Sequence, residues 1–383
     1  MTQQRKGLLA VIVMIALVLL SLGGIVKTVV NGIAVVTVAA SITPQPTQTL
    51  TPTPIVPALS VQGSQFRDMQ GHLVTLVGAS RPSFESLCHG DGHFTPADFQ
   101  AMRGWGMNTV RISLSSEFWS NAGGTCPNYH EAVAEAVSNA EIAGLYVILT
   151  LQTTAPFDTT HDRLSGGANC PMPDTRKDLT LWRDLAHIYH TDQRVLLSVF
   201  SQPHDVTPAI WLDGGTLSNA TCSVGDPQHN TLNEKGTYQA LGMRDLVAAI
   251  RTISPLSIVI VSGADWGYDL NTVVQGNTLA GSNIAYSTNP FNATTKMPST
   301  WTHDFGSIAQ DHPVVVADSG SYDCNTNYLT TAIDYDTTHH LSWLAGIWNV
   351  GNCNGPNLLS GWAGSPNGTS GEFIRAHIRT INH

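Results

Sequence analysis

Residues 313–320 read PVVVADSG, a run of β-branched side chains that leads into a carboxylate. Residues 195–202 read VLLSVFSQ and have the same form, with a glutamine at the end. Uninterrupted apolar runs of this kind are typical of parallel strands that are buried on both faces of a sheet. Functional side chains in such sheets lie at the carboxyl ends of the strands. Gln202 and Asp318 are therefore two of the candidate functional residues at strand ends.

Eight such runs alternate with amphipathic segments. One helix is expected from Thr95 to Gly104, opened by Thr95-Pro96-Ala97-Asp98, another over Lys235–Ile253 and a last one over Gly371–Ile381. An open doubly wound sheet is the alternative, but no glycine-rich phosphate loop follows the first strand. The repeat predicts an α/β fold, a closed (β/α)₈ barrel in a single domain. The predicted strands are residues 74–80, 109–114, 146–152, 195–202, 258–263, 284–290, 314–320 and 344–349.

Composition excludes several classes of protein. The 383 residues are 42% hydrophobic and 12% charged, which excludes collagen-like, coiled-coil and fully disordered chains. The net charge is −10, and no cluster of Lys and Arg offers a surface for a phosphate backbone. We expect no nucleic-acid partner.

The amino-terminal residues predict export. Arg5 and Lys6 precede an uncharged apolar run, residues 7–26, that is long enough to cross a bilayer. We expect a membrane anchor or signal segment at 1–40, a Thr/Pro-rich linker at 41–58 and the barrel at 59–383. The barrel would then be anchored outside the cytoplasm through the amino-terminal helix, or secreted if the leader is cleaved.

Six cysteines in an exported chain predict disulfides, and no Cys-x-x-Cys pair indicates a metal site. The barrel assignment places the cysteines in pairs on neighbouring loops after the strands. We therefore expect three bridges that fasten adjacent loops on the functional face: Cys88–Cys126, Cys170–Cys222 and Cys324–Cys353.

The order of several motifs resembles glycoside hydrolase family 5, the cellulase family, over residues 65–383. These motifs are WGMNTVR (105–111), GLYVILTLQ (144–152), FSQPH (200–204), YSTNPF (286–291) and PVVVADSG. The resemblance implies a (β/α)₈ barrel that cleaves β-linked polysaccharide with retention, using one Glu after strand four as acid/base and another on strand seven as nucleophile. Gln202 and Asp318 stand at these two positions, so both catalytic carboxylates are altered.

The resemblance also implies a substrate-binding set. Arg111, His204 and Trp348 fit the family pattern, whereas Gln152, Asn289 and Phe291 replace its usual residues. Trp266 joins the set as an aromatic residue near a strand end, where rings stack on sugars. Other aromatic residues near predicted strand ends are Phe84, Trp119, Trp211, Trp301 and Trp362. The expected binding residues are Arg111, Gln152, Ser201, His204, Trp266, Asn289, Phe291 and Trp348.

The altered carboxylates leave the activity open. Retaining hydrolysis needs two carboxyl groups about 5 Å apart, and a glutamine at 202 has no proton to donate. Glu85 and Asp205 are the first candidates to substitute, ahead of Glu117 and Asp323. Three hypotheses follow: a retaining endo-β-glycanase with a relocated proton donor, a carbohydrate-binding pseudoenzyme, or a cell-surface adhesion or scaffold module. We expect a polysaccharide or oligosaccharide ligand, no cofactor, no metal and a monomer.

Overall fold

The computed structural model describes residues 56–121, 123–157, 166–224, 232–323, 325–352 and 355–381, with the backbone of 29–30 and 33–34. The chain divides into two units, Met1–Pro52 and Thr53–His383. The strands, in chain order, are β1 (Val29–Val30), β2 (Ile33–Ala34), β3 (Leu59–Gln62), β4 (Gln65–Asp68), β5 (Leu73–Val74), β6 (Val77–Arg81), β7 (Thr109–Ser115), β8 (Tyr146–Thr153), β9 (Val195–Ser198), β10 (Gly215–Val224), β11 (Leu232–Ala240), β12 (Val259–Ser262), β13 (Ile284–Thr288), β14 (Val314–Ser319), β15 (Ser342–Val350), β16 (Asn357–Gly361) and β17 (Ser365–Pro366).

Eight parallel strands close into a barrel in the second unit. Their order is β14-β13-β12-β9-β8-β7-β6-β15, and β15 also pairs with β14 to complete the ring. Each of these pairings is parallel. All eight predicted strands lie in this ring, so the predicted (β/α)₈ barrel is confirmed.

The helices surround the barrel and connect its strands. Helix α1 begins after Thr95, whose side chain forms a capping box with Asp98, as its start signal predicts. The helices are α1 (Pro96–Trp105), α2 (Ser116–Ser120), α3 (Tyr129–Ile142), α4 (Asp178–Ile188), α5 (Pro208–Asp213), α6 (Met243–Arg251), α7 (Ala264–Gly267), α8 (Asn271–Val274), α9 (Trp301–Asp304), α10 (Thr326–Thr338) and α11 (Ser370–Ile381), with a 3₁₀ turn at Gly306–Gln310.

The helix predicted over Lys235–Ile253 is wrong in its first part. Residues up to Ala240 form β11, which pairs with β10 in an antiparallel hairpin, and the helix begins only after Gly242. Tyr238 and Ala240 are buried and alternate with exposed neighbours, which is the period of a strand. Pairing with β10 outweighs the three-to-four spacing of apolar residues there.

Two apolar layers hold the barrel together. The larger layer lies between the strands and the helices, and the smaller fills the barrel interior with residues such as Ile148, Ile260 and Leu344. Leu59 and Phe66, from the three-stranded sheet β3–β5, join the inner layer. The β3 amide of Val61 donates to Asn283, just before β13. This small sheet therefore covers the amino-terminal end of the barrel, and the opposite rim is left for function.

Two disulfides fasten loops at that rim. Cys88–Cys126 joins the loops after β6 and β7, and Cys170–Cys222 joins the loop after β8 to the β10–β11 hairpin. These two predicted pairs are confirmed. Cys324 and Cys353, the third predicted pair, lie outside the described residues.

The amino-terminal predictions fall mostly outside the described residues as well. Of the expected anchor at 1–40 only β1 and β2 are described, and of the linker at 41–58 only residues 56–58. Within the described parts of the chain, no helix combines the length and apolarity needed to cross a membrane.

Candidate active site at the barrel rim

Arg111 and Asp318 lie at the centre of the rim. Arg111 points inward from β7, is almost completely buried, and has its Nη1 atom 3.9 Å from Oδ2 of Asp318. The same nitrogen donates to Ser80 at 3.3 Å, and Nη2 donates to the Ser201 hydroxyl. These contacts fix the guanidinium group beneath the cleft. Its single charge partner within salt-bridge distance among the described residues is Asp318.

Asp318 is a carboxyl group that holds a proton unusually well. Its side chain is only 16% exposed, and Oδ1 has no hydrogen-bond partner. Burial raises the pKa of Asp318 to about 7, although the nearby Arg111 charge opposes this rise. At neutral pH a substantial share of the molecules therefore carries the protonated, uncharged form.

Two glutamines occupy the neighbouring strand ends. The Gln152 amide, at the end of β8, donates to the side-chain oxygen of Gln202 at 2.8 Å and to Asn169 at 3.3 Å. Ser201, just before Gln202, accepts the bond from Arg111. The residues predicted at the ends of strands three and four are thus brought together, but as neutral hydrogen-bonding groups that cannot transfer a proton at ordinary pH.

His204 and Trp266 form a stacked pair on the next part of the rim. The two rings lie 3.7 Å apart and only 8° from parallel. His204 is buried and its Nδ1 contacts the Gln202 carbonyl oxygen at 2.7 Å. Burial lowers the pKa of His204, which favours the neutral imidazole. Trp266 is 39% exposed, so one face of its ring is open to solvent.

Asn289 and Phe291 follow β13, between the loops that carry Trp266 and Asp318. The Asn289 amide donates to the carbonyl oxygens of Ser201 at 3.2 Å and Trp266 at 3.3 Å. Phe291 lies against the ring of Tyr322, with centroids 5.3 Å apart. The Tyr322 side chain is 52% exposed. Partial desolvation by neighbouring residues, together with the nearby Asp318 charge, raises the pKa of its hydroxyl group.

Tyr322 is a site residue that the sequence analysis missed. It stands two positions after Gly320, at the carboxyl end of β14, and the strand-end rule would have found it. Trp266 and Tyr322 are the two exposed aromatic residues in the described part of the chain. They lie on the loops after β12 and β14, on either side of the β13 end. Among the described residues, the exposed Trp and Tyr side chains are therefore confined to this rim.

Trp348 does not face the cleft, contrary to its prediction. Its side chain is 0% exposed and packs against Trp105 of α1, with ring centroids 4.8 Å apart. The register of β15 against β6 shifts between Ala345 and Ile347, and Trp348 lies in the outer layer beyond this shift. The ring therefore offers no free face to a sugar.

Most other expected cleft aromatics are also part of the core. Trp362 is half buried, with His93 at 3.9 Å and the Arg81 guanidinium at 4.7 Å from its ring. Stacking surfaces for a sugar must therefore come from Trp266, Phe291 and Tyr322. The expected cleft aromatics that are at most 3% exposed are Phe84, Trp119, Trp211 and Trp301.

The candidate substitute acids lie in different surroundings. Glu85 is half buried, accepts the Ser83 amide at 2.6 Å and faces the charges of Arg81 and Arg111. Burial raises its pKa. Asp205 is exposed beside His204, with φ of +51°.

Two further acids are engaged elsewhere. Glu117 is buried in an ion pair with Lys177, and Asp323 contacts Ser321 and Asn292 on an exposed loop. Among the described residues, no group of three or more His, Cys, Asp or Glu side chains could hold a metal ion. Of the four acids considered, Glu85 is the one placed near Arg111.

Comparison with known proteins identifies the family. A model of the cellulase family, glycosyl hydrolase family 5, matches residues 68–354. The chain belongs to the cellulase family. This match covers all eight barrel strands, from β6 to β15, and the rim residues from Glu85 to Trp348.

Individual family 5 relatives are distant in sequence. An endoglucanase of Clostridium saccharobutylicum is 23% identical over 347 residues, which cover 85% of this chain and 65% of the relative. A β-glucanase of Saccharophagus degradans is 17% identical, with a TM-score of 0.61 over 86% of this chain and 95% of the other. The Thermobifida fusca endoglucanase catalytic domain is 18% identical, with a TM-score of 0.59 over 84% and 97%. These structures share the fold.

Stability should depend on pH through Asp318 in this family 5 barrel. Its pKa rises from 3.8 to about 7, so the folded protein holds a proton that the unfolded chain releases between these values. The free energy of unfolding should therefore fall as pH rises through this range. Replacing Asp318 with Asn should remove up to about 4 kcal/mol of this decrease. Urea unfolding at pH 4, 5.5 and about 7.5 would measure it. Equal pH slopes for wild type and Asp318→Asn would contradict the buried-proton assignment.

Proposed function

We propose that this family 5 barrel takes β-linked glucan as its ligand and binds the chain across the rim. The observation that carries the proposal is the confinement of the open aromatic rings, Trp266 and Tyr322, to the two loops that flank the β13 end. Flat aromatic faces beside amide groups suit the apolar C–H faces and hydroxyl groups of a sugar chain. Gln152, Gln202 and Asn289 supply the amides.

The relatives support the choice of ligand. The S. degradans β-glucanase has been crystallised with cellotetraose, with a TM-score of 0.62 to this chain. A T. fusca endoglucanase variant and an endocellulase variant of Pyrococcus horikoshii have also been crystallised with cellotetraose. We extend this ligand class to the present chain because its open rings lie at the carboxyl ends of the same kind of barrel.

The residues at the chemical centre favour binding over efficient hydrolysis. Gln202 stands at the acid/base position that the family resemblance implies, and its amide cannot protonate a leaving oxygen. Asp318 stands at the nucleophile position, but its side chain is one methylene shorter than Glu. Its raised pKa also keeps the attacking group partly protonated at neutral pH. Loss of a general acid typically costs ~10²- to 10⁴-fold in rate.

Slow hydrolysis through relocated groups is a second candidate function. Asp318 and Glu85 both interact with the Arg111 charge, and burial raises the pKa of each. A carboxyl group whose pKa is raised by burial keeps its proton to higher pH than usual and can then act as a general acid. In this alternative Glu85 donates the proton and Asp318 attacks. It predicts that Glu85→Gln abolishes turnover and leaves binding intact.

Calorimetric titration with cellotetraose tests the proposed ligand. The full chain, kept in mild detergent, should show saturable binding to cellotetraose and much weaker binding to xylotetraose and mannotetraose. Leu256→Ala provides a matched control, because this exposed residue lies between α6 and β12, at the other end of the barrel. Absence of binding to cellotetraose would overturn the proposal.

We further propose that the barrel works outside the cytoplasm, held by its amino-terminal segment. The apolar run at residues 7–26, its basic flank and the Thr/Pro-rich linker support this location. The disulfides Cys88–Cys126 and Cys170–Cys222 support it as well, because such bonds persist in oxidising compartments. An extracellular glucan would be accessible to a barrel in this position.

A further inference from the structure

The loop that carries Trp266 has an unusual backbone. Asp265, Trp266 and Gly267 follow one another with φ of +50°, +62° and +79°. Side chains with a Cβ atom rarely adopt this left-handed conformation, and consecutive examples are rarer still. At Gly267 a Cβ atom would lie 2.3 Å from the Ser201 carbonyl oxygen, so glycine is required there. Such strain persists only where neighbouring groups hold it, and it is concentrated at functional sites.

Three hydrogen bonds to other segments of the chain hold this left-handed turn, in addition to its own backbone bonds, among them the bond from the Tyr268 amide to the Asp265 carbonyl oxygen at 3.3 Å. The Trp266 amide donates to the Pro203 carbonyl oxygen at 2.8 Å, and Asn289 donates to the Trp266 carbonyl oxygen at 3.3 Å. The third bond comes from Lys296, whose Nζ donates to the Asp265 carbonyl oxygen at 2.8 Å. Lys296 belongs to the loop between β13 and α9, so a separate segment of the chain clamps the turn.

Lys296 is a buried lysine whose ammonium group has three partners close to the turn. The residue is 8% exposed, its ammonium group lies 5.0 Å from the Tyr268 ring centre, and the Asp265 carboxylate is 3.9 Å away. Burial lowers the pKa of Lys296, while the Asp265 charge partly opposes this. Burying an ammonium group is costly unless the group is paired with an opposite charge and hydrogen-bonded. The Asp265 carbonyl oxygen is the acceptor that the structure gives to it.

The loop itself holds Lys296 in place. The Lys296 amide donates to the Ala293 carbonyl oxygen at 3.0 Å, and its carbonyl oxygen accepts the indole N–H of the buried Trp301 at 2.9 Å. The backbone of Lys296 is thus fixed to the core before its side chain reaches the turn. Because the Lys296 backbone is fixed, its ammonium group can hold the Asp265 carbonyl oxygen, and with it the turn that carries Trp266, in one position.

We propose that Lys296 is a positioning residue for glucan binding: its ammonium group holds the left-handed turn that keeps the Trp266 ring stacked on His204 with one face open. This inference rests on the proposed function for its ligand, but the geometry of the turn can be tested without any ligand. Lys296 touches no part of the expected sugar site and acts through Trp266.

A double-mutant cycle tests the proposal. Lys296→Met should weaken cellotetraose binding about fivefold to tenfold in the full chain. In the Trp266→Ala background the same change should have little further effect, because Lys296 acts through that ring. Lys235→Met is the matched control, since it removes one exposed lysine of the β10–β11 hairpin and should leave the affinity unchanged. Equal losses from Lys296→Met in both backgrounds would overturn the positioning role.

A ligand-free measurement separates this proposal from the proposed function. Acrylamide quenching should increase in Lys296→Met, and Trp266→Phe should abolish the increase, which assigns it to Trp266. Lys296→Gln, which keeps a donor, should restore part of the wild-type signal, and it replaces Lys296→Met if that variant does not fold. Unchanged quenching in a folded Lys296 variant would overturn the proposal. Absence of cellotetraose binding by wild type, with altered quenching, would overturn only the glucan ligand.

Discussion

Changing Gln202 to glutamate should increase the release of reducing ends from soluble β-1,4-glucan by at least about 10²-fold. The new carboxyl group can still accept the hydrogen bond that Gln152 donates at 2.8 Å, so the rim should keep its geometry. It would supply the proton that the glutamine lacks, opposite a carboxyl group already present at Asp318. Reducing-end assays on equal amounts of wild type and variant would measure the gain.

Controls in the same background identify the source of any activity. Asp318→Asn added to Gln202→Glu should remove the gain, because the nucleophile position on β14 then carries no carboxyl group. Asp318→Glu added instead should increase the rate further, since the longer side chain moves the attacking oxygen closer to the sugar. If wild type already hydrolyses glucan as fast as Gln202→Glu, position 202 does not limit the chemistry, and the second candidate function gains support.

Removing the Trp266 ring should weaken cellotetraose binding at least tenfold. The ring is 39% exposed on one side and supported by His204 on the other, so a sugar can stack on it without rearrangement. A tenfold loss corresponds to about 1.4 kcal/mol, within the range expected for losing an aromatic stacking surface. Calorimetric titration of Trp266→Ala would measure the loss, with Leu256→Ala as the control. An unchanged affinity would show that the glucan does not cross this part of the rim.

The barrel could be predicted from local sequence because buried parallel strands leave a direct signature. Apolar runs such as residues 313–317 are continuous, so they show neither the helical nor the alternating spacing that could be assigned to another structure. The ends of these strands then place Arg111, Gln152, Gln202 and Asp318 on one rim. The two described disulfides followed from the same ordering of loops. Both predictions depend on chain order and strand direction, which the sequence carries.

Features that depend on register or on partners across the fold could not be predicted. Trp348 lies in the outer layer, not in the cleft, because the register of β15 against β6 shifts just before it. The local sequence contains no pattern that predicts this shift. The strand through Tyr238 depends on antiparallel pairing with β10, whereas the apolar spacing of its own residues favoured a helix. The left-handed turn at Trp266 and its contact with Lys296 likewise join loops that are separated in sequence.

The most direct test of the account measures binding and turnover in the same samples. The full chain and its Asp318→Asn variant would be incubated for several hours with soluble β-1,4-glucan, and bound glucan and new reducing ends would both be quantified. The variant shows which reducing ends come from contaminating hydrolases. We predict saturable binding by both proteins and no reducing ends from wild type above the variant. Reducing ends that depend on Asp318 and rise steadily through the incubation would contradict the account and make the barrel a working hydrolase.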